Sequence, residues 1–528
     1  MSTVDELCRS YLDLKWHFDP SDASGDGVAA LDTRLGSFDA ESMRAHLAAF
    51  RSLEGAIEEL EPPDLASEID RTALLDDLRT LVFRFEHERP HIRNPGFWLT
   101  HLFEGMFTLL VREGPLAARA PAALERLKAA PAFLAQARAT LKDPPLVFVD
   151  SALAALGGGG TLIAQAVGAL RDAAPMLAGD LDEAGREALE ALTAFGRALG
   201  SEIVPSDDPR AYAVGEEQFE RRLHHEHAIR GGAPELWRYG MRLIEDTEER
   251  LTAVAQELSG SDDWRSEIVR LRTEASVTDV LAAYRDEAGR ARAFIQRTGL
   301  VPETPVPLEI VPTPAFLETL VPFAAYQPPP VELGGPGLFF VTRAESTADG
   351  VQCVYEIPSI VIHEAFPGHH VQVTATQALT SEVRRHVRTP VNVEGWALYA
   401  ETLMYESGYH ETPEARLFHL NDLLWRAVRI IVDVGLHTRD MTPVDAVNRM
   451  TEILPMERRN AEAEVRRYCA MPTYQLSYAI GRRELLALRD DWRARAGASA
   501  PLADFHRDVF SYGGLPIALA RWGMGLDG

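Results

Sequence analysis

Cysteine is scarce. The chain has three in 528 residues, namely Cys8, Cys353 and Cys469, far apart and without a Cys-x-x-Cys pair, which excludes a disulfide framework and a cysteine-bound zinc site. Cys353, ten residues before a histidine of interest below, is read as a small core residue. Positive charge is also in short supply, with 53 Lys and Arg against 79 Asp and Glu and a formal net charge of −26. A nucleic-acid binder needs a basic footprint for the phosphate backbone, so nucleic acid is not expected as a partner. Residues 1–8 contain neither a basic stretch nor an apolar run, so no signal peptide is expected and the cytoplasm is the expected location. A clean membrane span is missing too. The most apolar long window, about residues 145–170, contains Asp150 and four consecutive glycines at 157–160. It is read as helix, glycine loop, helix, with no membrane partner expected.

The pattern that remains is dominated by helical periods. Apolar residues recur at three- and four-residue spacing over about 41–61, 66–88, 117–142, 161–175, 182–200, 234–259 and 276–298, and again over 356–365, 392–407, 413–437, 443–453, 459–469, 474–496 and 502–511. Between the two sets lies a cluster of breakers: Pro302, Pro305, Pro307, Pro312, Pro314, Pro322 and the triple Pro328-Pro329-Pro330, then Gly334-Gly335-Pro336-Gly337. Helices cannot run through that composition. Short runs at 306–311 and 337–341 read as strands of a small sheet whose edge could hold an extended peptide. No internal repeat is evident. The chain exceeds the size of a single growing core, so a helical N-terminal lobe over 1–300 and a catalytic lobe over 301–528 are expected, in a mainly α architecture with a small β-sheet before the helix that carries the chemistry.

That helix contains His363-Glu364-Ala365-Phe366-Pro367-Gly368-His369-His370. Two neutral imidazoles and a carboxylate can hold a divalent ion, and an unligated glutamate beside the water-filled fourth position completes a hydrolytic centre. In the H-E-x-x-H arrangement both histidines face one side of a helix one turn apart. Here Pro367 stands where the second histidine belongs. On an unbroken helix His369 would lie about 240° around from His363, and His370 about 10 Å along the axis. Pro367 cannot donate to the His363 carbonyl and pushes Phe366 off helical angles, while Gly368 opens dihedrals closed to other residues. A Phe-Pro-Gly break therefore brings His369 or His370 back toward His363, and His369 is preferred.

A carboxylate must come from elsewhere. Glu394 and Glu401, seven apart, share one face of a helix that is otherwise largely apolar, with Trp396, Ala397, Leu398, Tyr399 and Leu403. Buried carboxylates need a cation or hydrogen bonds, so one acid can bind metal while the other orients a ligand. Gly395 lets another backbone approach. One decoy stands apart: His224-His225-Glu226-His227 resembles a metal cluster, but Ile229 replaces the needed histidine, and a solvent-facing charged helix is expected.

The Glu394-Gly395-Trp396-Ala397-Leu398-Tyr399-Ala400-Glu401 run resembles the Glu-Gly-Phe-Ala segment of gluzincin aminopeptidases, which implies Glu394 as the third zinc ligand. Together with His363-to-Gln372, Pro472-to-Gly481, Phe505-His506-Arg507-Asp508 and the Gly514-Leu515-Pro516 turn, it resembles the bacterial domain-of-unknown-function 885 family, regarded as gluzincin-like. Members often have tyrosine at His370, which implies His369 as the ligand. Many have a lysine where this chain has Ala479, so a basic role there is lost.

The expected activity is zinc-dependent hydrolysis of an amide in a peptide or small amide substrate. His363, His369 and Glu394 hold one zinc ion, Glu364 is the general base and Glu401 orients a ligand. Tyr478 and Arg482, four apart on one helix face, are candidates for oxyanion stabilisation and for binding a substrate carboxylate. A non-catalytic peptide-binding protein and an amidase acting on non-peptide substrates are the alternatives.

Overall fold

The computed structural model describes residues 3–314, 324–343 and 352–526. It is mainly α, with one three-stranded sheet. The helical periods are met at Ala40–Glu58, Leu65–Phe83, Leu116–Thr140, Ala178–Ser201, Ala233–Ser259 and Val280–Thr298, and after the sheet at Ile357–Glu364, Pro390–Glu406, Pro413–Thr438, Pro443–Ile453, Arg458–Ala470, Ser477–Ala496 and Leu502–Phe510. The N-cap pattern recurs: Asp39, Asp64, Asp263, Asp279 and Thr412 each accept a backbone N–H of the first turn through their side chains.

The expected glycine loop is absent. Leu146–Ala173 is one helix running through all four glycines. The reason is packing: a Cβ at Gly159 would overlap the Phe103 ring, so the missing side chain lets the Pro95–Val111 helix lie close. By length and composition this helix could cross a membrane, and 28% of its most apolar window is buried. Pro95–Val111 itself shows little periodicity because it is apolar almost all round. Helices Val4–Phe18, Trp264–Glu274 and His369–Gln377 were likewise not expected from period alone.

The strands are β1 (Leu308–Pro312), β2 (Ala324–Gln327) and β3 (Gly337–Val341), in the order β1-β3-β2. β1 pairs parallel with β3, Ile310 facing Phe339, and β2 pairs antiparallel with β3, Tyr326 facing Phe339. The sheet therefore sits where the proline cluster ends the helices. Pro322 lies outside the described residues.

Apolar side chains gather into three clusters. The first runs from Val4 to Ile203, around Phe38, Trp98 and Leu102, and from the rest of the described residues takes in the buried Val383, Val387 and Leu515, with Tyr512, Leu519 and Trp522 packed against it. The second, around Trp396, Tyr399 and Ile362, joins helices Ala233–Ser259 and Val280–Thr298 to the C-terminal helices. The third, around Ile431, Leu424 and Leu251, joins helices Ala233–Ser259 and Trp264–Glu274 to the C-terminal helices. The packing thus changes over between Ile203 and Tyr212, and most of the apolar core after it lies in the second and third clusters, the second of which surrounds the helices bearing His363 and Glu394.

Candidate metal centre

The helix Ile357–Glu364 stops one residue after His363, and His369 opens the next helix. Between them Ala365 leaves helical angles and the Phe366–Pro367 peptide is cis. Gly368 is required here, because a Cβ would overlap the carbonyl oxygens of His363 and Ile362. Trp396 Nε1 donates to the carbonyls of Pro367 and Gly368 at 3.0 and 3.3 Å, pinning the break to the Glu394 helix. The consequence is that the His363 and His369 rings meet edge to face, with centroids 4.8 Å apart.

Glu394 reaches both. Its Oε2 lies 3.5 Å from His363 Nε2 and 3.5 Å from His369 Nε2. One donor atom from each of the three residues lies within 4.8 Å of the others. Zinc–nitrogen and zinc–oxygen bonds of roughly 2.0–2.2 Å at tetrahedral angles separate ligand atoms by about 3.4 Å, so the 3.5 Å spacings fit a shared ion. Two of the three remaining donor atoms are held from outside: His363 Nδ1 meets Glu401 Oε1 at 2.8 Å, and Tyr474 Oη donates to Glu394 Oε1 at 2.7 Å, while His369 Nδ1 is buried without a partner among the described residues. Glu401 is fully buried.

His370 is employed elsewhere. Its Nε2 faces the Val306 carbonyl and its Nδ1 faces Tyr326 Oη, both at 3.1 Å, and burial pushes its pKa down to about 4. Of the two adjacent histidines, it is His369 that joins His363 and Glu394. Burial would also lower His363, but the hydrogen bonds of Glu394 and Glu401, with the charges of Glu401 and Glu364, outweigh it and push its pKa up to about 10. For Glu394 burial acts upward, yet its contacts with the two imidazoles hold it well below the usual carboxylate range.

Glu364 follows His363 directly and, among the described residues, carries no hydrogen bond or ion pair. Tyr478 stacks on His363 with ring centroids 6.1 Å apart, and burial together with the Glu394 charge raises its hydroxyl above the ordinary value. Arg482 is not brought into the cluster: its Nε donates to Thr402 Oγ1 at 2.6 Å, one residue past Glu401.

Glycines explain how the Glu394 and Tyr478 helices come so close. Gly395 and Gly481 face each other, and a Cβ on either would overlap the other's backbone. Sequence reading expected an approach at Gly395 without identifying Gly481 as its partner. It also missed Tyr474, which is held by Asp433: the buried Asp433 carboxylate accepts the N–H groups of Thr473 at 3.1 Å and Leu476 at 3.2 Å, shaping the turn between. The sequence signal was an acid inside the apolar run Ile430-Ile431-Val432-Asp433-Val434-Gly435-Leu436.

The decoy behaves differently from its expectation. His224 and His225 are exposed, but His227 is buried, meeting Thr389 Oγ1 at 2.7 Å and Thr473 Oγ1 at 3.0 Å. It ties the turn before Tyr474 to the start of the Glu394 helix, and takes part in no metal-like cluster among the described residues. Cys353 is buried in the core, as expected. A second cluster, Glu332, Glu382 and His386, is already answered by Arg9 and Arg385.

A family model for a bacterial protein of unknown function, DUF885, matches residues 20–524. The chain belongs to this family. No curated protein matches it. A solved structure described as a "putative lipoprotein of unknown function" from Shewanella oneidensis is 21% identical with a TM-score of 0.81, covering 99% of this chain and 100% of its own. A "putative lipoprotein" from Colwellia psychrerythraea is 18% identical with a TM-score of 0.83, covering 100% of this chain and 99% of its own. The fold is therefore shared across the whole length of this DUF885 chain.

Proposed function

We propose that this DUF885 protein is a zinc-dependent hydrolase of amide bonds, acting on peptides. The observation that carries the reading is the convergence of His363, His369 and Glu394 at tetrahedral ligand spacing, with Glu364 beside them and uncommitted. A structural zinc site has no use for that free carboxylate.

Bound zinc would acidify a water molecule and polarise the substrate carbonyl. Glu364 takes the proton from the attacking water and hands it to the leaving nitrogen. Glu401 fixes which nitrogen of His363 faces the ion, and Tyr474 holds Glu394 in place. Tyr478, whose hydroxyl stays protonated at neutral pH, is the donor for the developing oxyanion. The outer edge of β2, next to His370 through Tyr326, offers backbone groups to an extended peptide.

Location is a separate question. The solved relatives' description as lipoproteins weighs toward a membrane-attached setting outside the cytoplasm, against the cytoplasmic one expected from the first residues. Fractionation of the native host with an antibody to this chain decides it.

Elemental analysis tests the chemistry. The purified protein is expected to carry about one zinc per chain, lost in His363→Ala, His369→Ala and Glu394→Ala. A protein that takes up no zinc when it is supplied is no zinc hydrolase. A peptide-library digest then separates a peptidase from a peptide-binding protein and from an amidase of other substrates.

A further inference from the structure

Next to the cluster, on the side of Tyr478, stands a cation that the hydrolytic residues do not use. Arg429, on Pro413–Thr438, is 8% exposed at its side chain and lies against three aromatic rings. Its guanidinium carbon is 4.5 Å from the Trp425 ring centroid, 4.8 Å from that of Tyr478 and 5.9 Å from that of Tyr468. Such a cage holds the fork rigid in one plane.

The charge around it does not balance. Arg429 Nε donates to Tyr468 Oη at 3.0 Å and Nη2 to Glu464 Oε2 at 3.4 Å. The same Glu464 oxygen already accepts Arg467 Nη2 at 2.7 Å and Tyr468 Oη at 2.6 Å. One carboxylate thus answers two guanidinium groups. The nearby Arg426 is taken up by Asp422 and Glu401. Among the described residues Nη1 of Arg429 has no hydrogen-bond partner, and it is not among the polar atoms sealed from solvent. In a chain of charge −26, a buried cation that shares its one carboxylate with a second guanidinium, beside a hydrolytic centre, has room for a further anion.

Resting on the hydrolase reading, we infer that Arg429 recognises a carboxylate on the leaving side of the scissile amide, so that the substrates are peptides bearing a free C-terminal carboxylate or an acidic side chain there. The Tyr478 ring is shared between His363 and Arg429, which puts an anion bound at Nη1 one residue from the bond that is cut. This role was expected of Arg482, whose fork is turned to Thr402.

The test uses the full zinc-loaded chain and three N-acetyl tripeptides with otherwise neutral side chains: the free acid, its C-terminal amide, and an amide ending in glutamate. Wild type is expected to favour one of the two anionic peptides over the neutral amide by about a hundredfold in kcat/KM, the magnitude of a charge-assisted bidentate contact. The ratio should fall toward one in Arg429→Gln and be partly kept in Arg429→Lys, each checked for fold by circular dichroism. Preference for the free acid identifies the terminal carboxylate; preference for the glutamate amide identifies the side chain. Equal use of all three by wild type, or a ratio unmoved by Arg429→Gln, overturns the inference. Calorimetric titration of the Glu364→Gln protein with the same peptides needs no turnover. Acid-selective binding without hydrolysis by wild type would count against the peptidase reading and for Arg429, whereas hydrolysis with unselective binding would do the reverse.

Discussion

At the scale of single residues, the centre makes separable demands on each side chain. The Glu364 side chain makes no hydrogen bond or ion pair with another described residue, so Glu364→Gln should leave zinc content unchanged and lower turnover by about 10²–10⁴-fold, the usual worth of a positioned base. Zinc content with full activity in that variant would refute the base assignment. His369 and His370 are adjacent but answer to different partners. His369→Ala should lose zinc, and His370→Ala should keep it, while losing the contacts to Val306 and Tyr326. Both are read by elemental analysis of the purified proteins. The residue types were legible in the sequence, because imidazoles and acids placed among apolar neighbours need a reason to be there. Which of two neighbouring histidines faces the metal was not, since it depends on how the chain leaves the break at Ala365 to Gly368.

At the scale of elements, the site depends on two helices touching backbone to backbone. Adding a methyl group at Gly481 would overlap the Val391 carbonyl and the Gly395 backbone. Gly481→Ala is expected to destabilise by roughly 1–3 kcal/mol or more, as overpacking does, and to weaken zinc binding by shifting Glu394. Gly157 is the counter-case, with nothing within 4 Å of an added Cβ in the middle of a helix. Gly157→Ala should therefore stabilise by about 0.5–1 kcal/mol. Thermal melts of the two variants would reverse the argument if their signs were exchanged. Helix periods were readable wherever one face is polar. They failed at Pro95–Val111, apolar almost all round, and at Leu146–Ala173, where a glycine run that signals a turn locally includes Gly159, demanded by Phe103 across the helix interface.

At the scale of the whole molecule, buried acids and buried histidines pull the response to pH in opposite directions. Burial raises Glu104, Asp422 and Asp433 to about 7, against their partners' opposing pull. A carboxyl raised in the fold contributes stability that is full below its unfolded value and is lost as pH rises through its folded one. For these three the loss falls between about 4 and 7. Buried histidines act the other way: burial pushes His91, His410 and His437 down to about 4, so their contribution grows as pH rises toward about 6.5. The share of an acid is therefore read by difference: the melting temperature of metal-free Glu104→Gln minus that of wild type is expected to rise from pH 5 to pH 8, and moderate salt should raise the wild-type value at pH 8 by screening the −26 net charge. A difference that stays flat over that range would contradict this. By itself the sequence determined the helical class, the small sheet at the proline cluster, the family likeness and the candidates His363, Glu364, Glu394 and Glu401, because periodicity, helix breakers and buried polar residues are properties of short windows. Only the tertiary structure brought His369 to His363 and Glu394, found Tyr474 on Glu394, turned Arg482 away and gave Arg429 a carboxylate shared with Arg467. Those outcomes depend on which helices meet and how closely, and residues more than a hundred positions apart in the chain take part in that choice, as His363 and Tyr474 do, 111 apart.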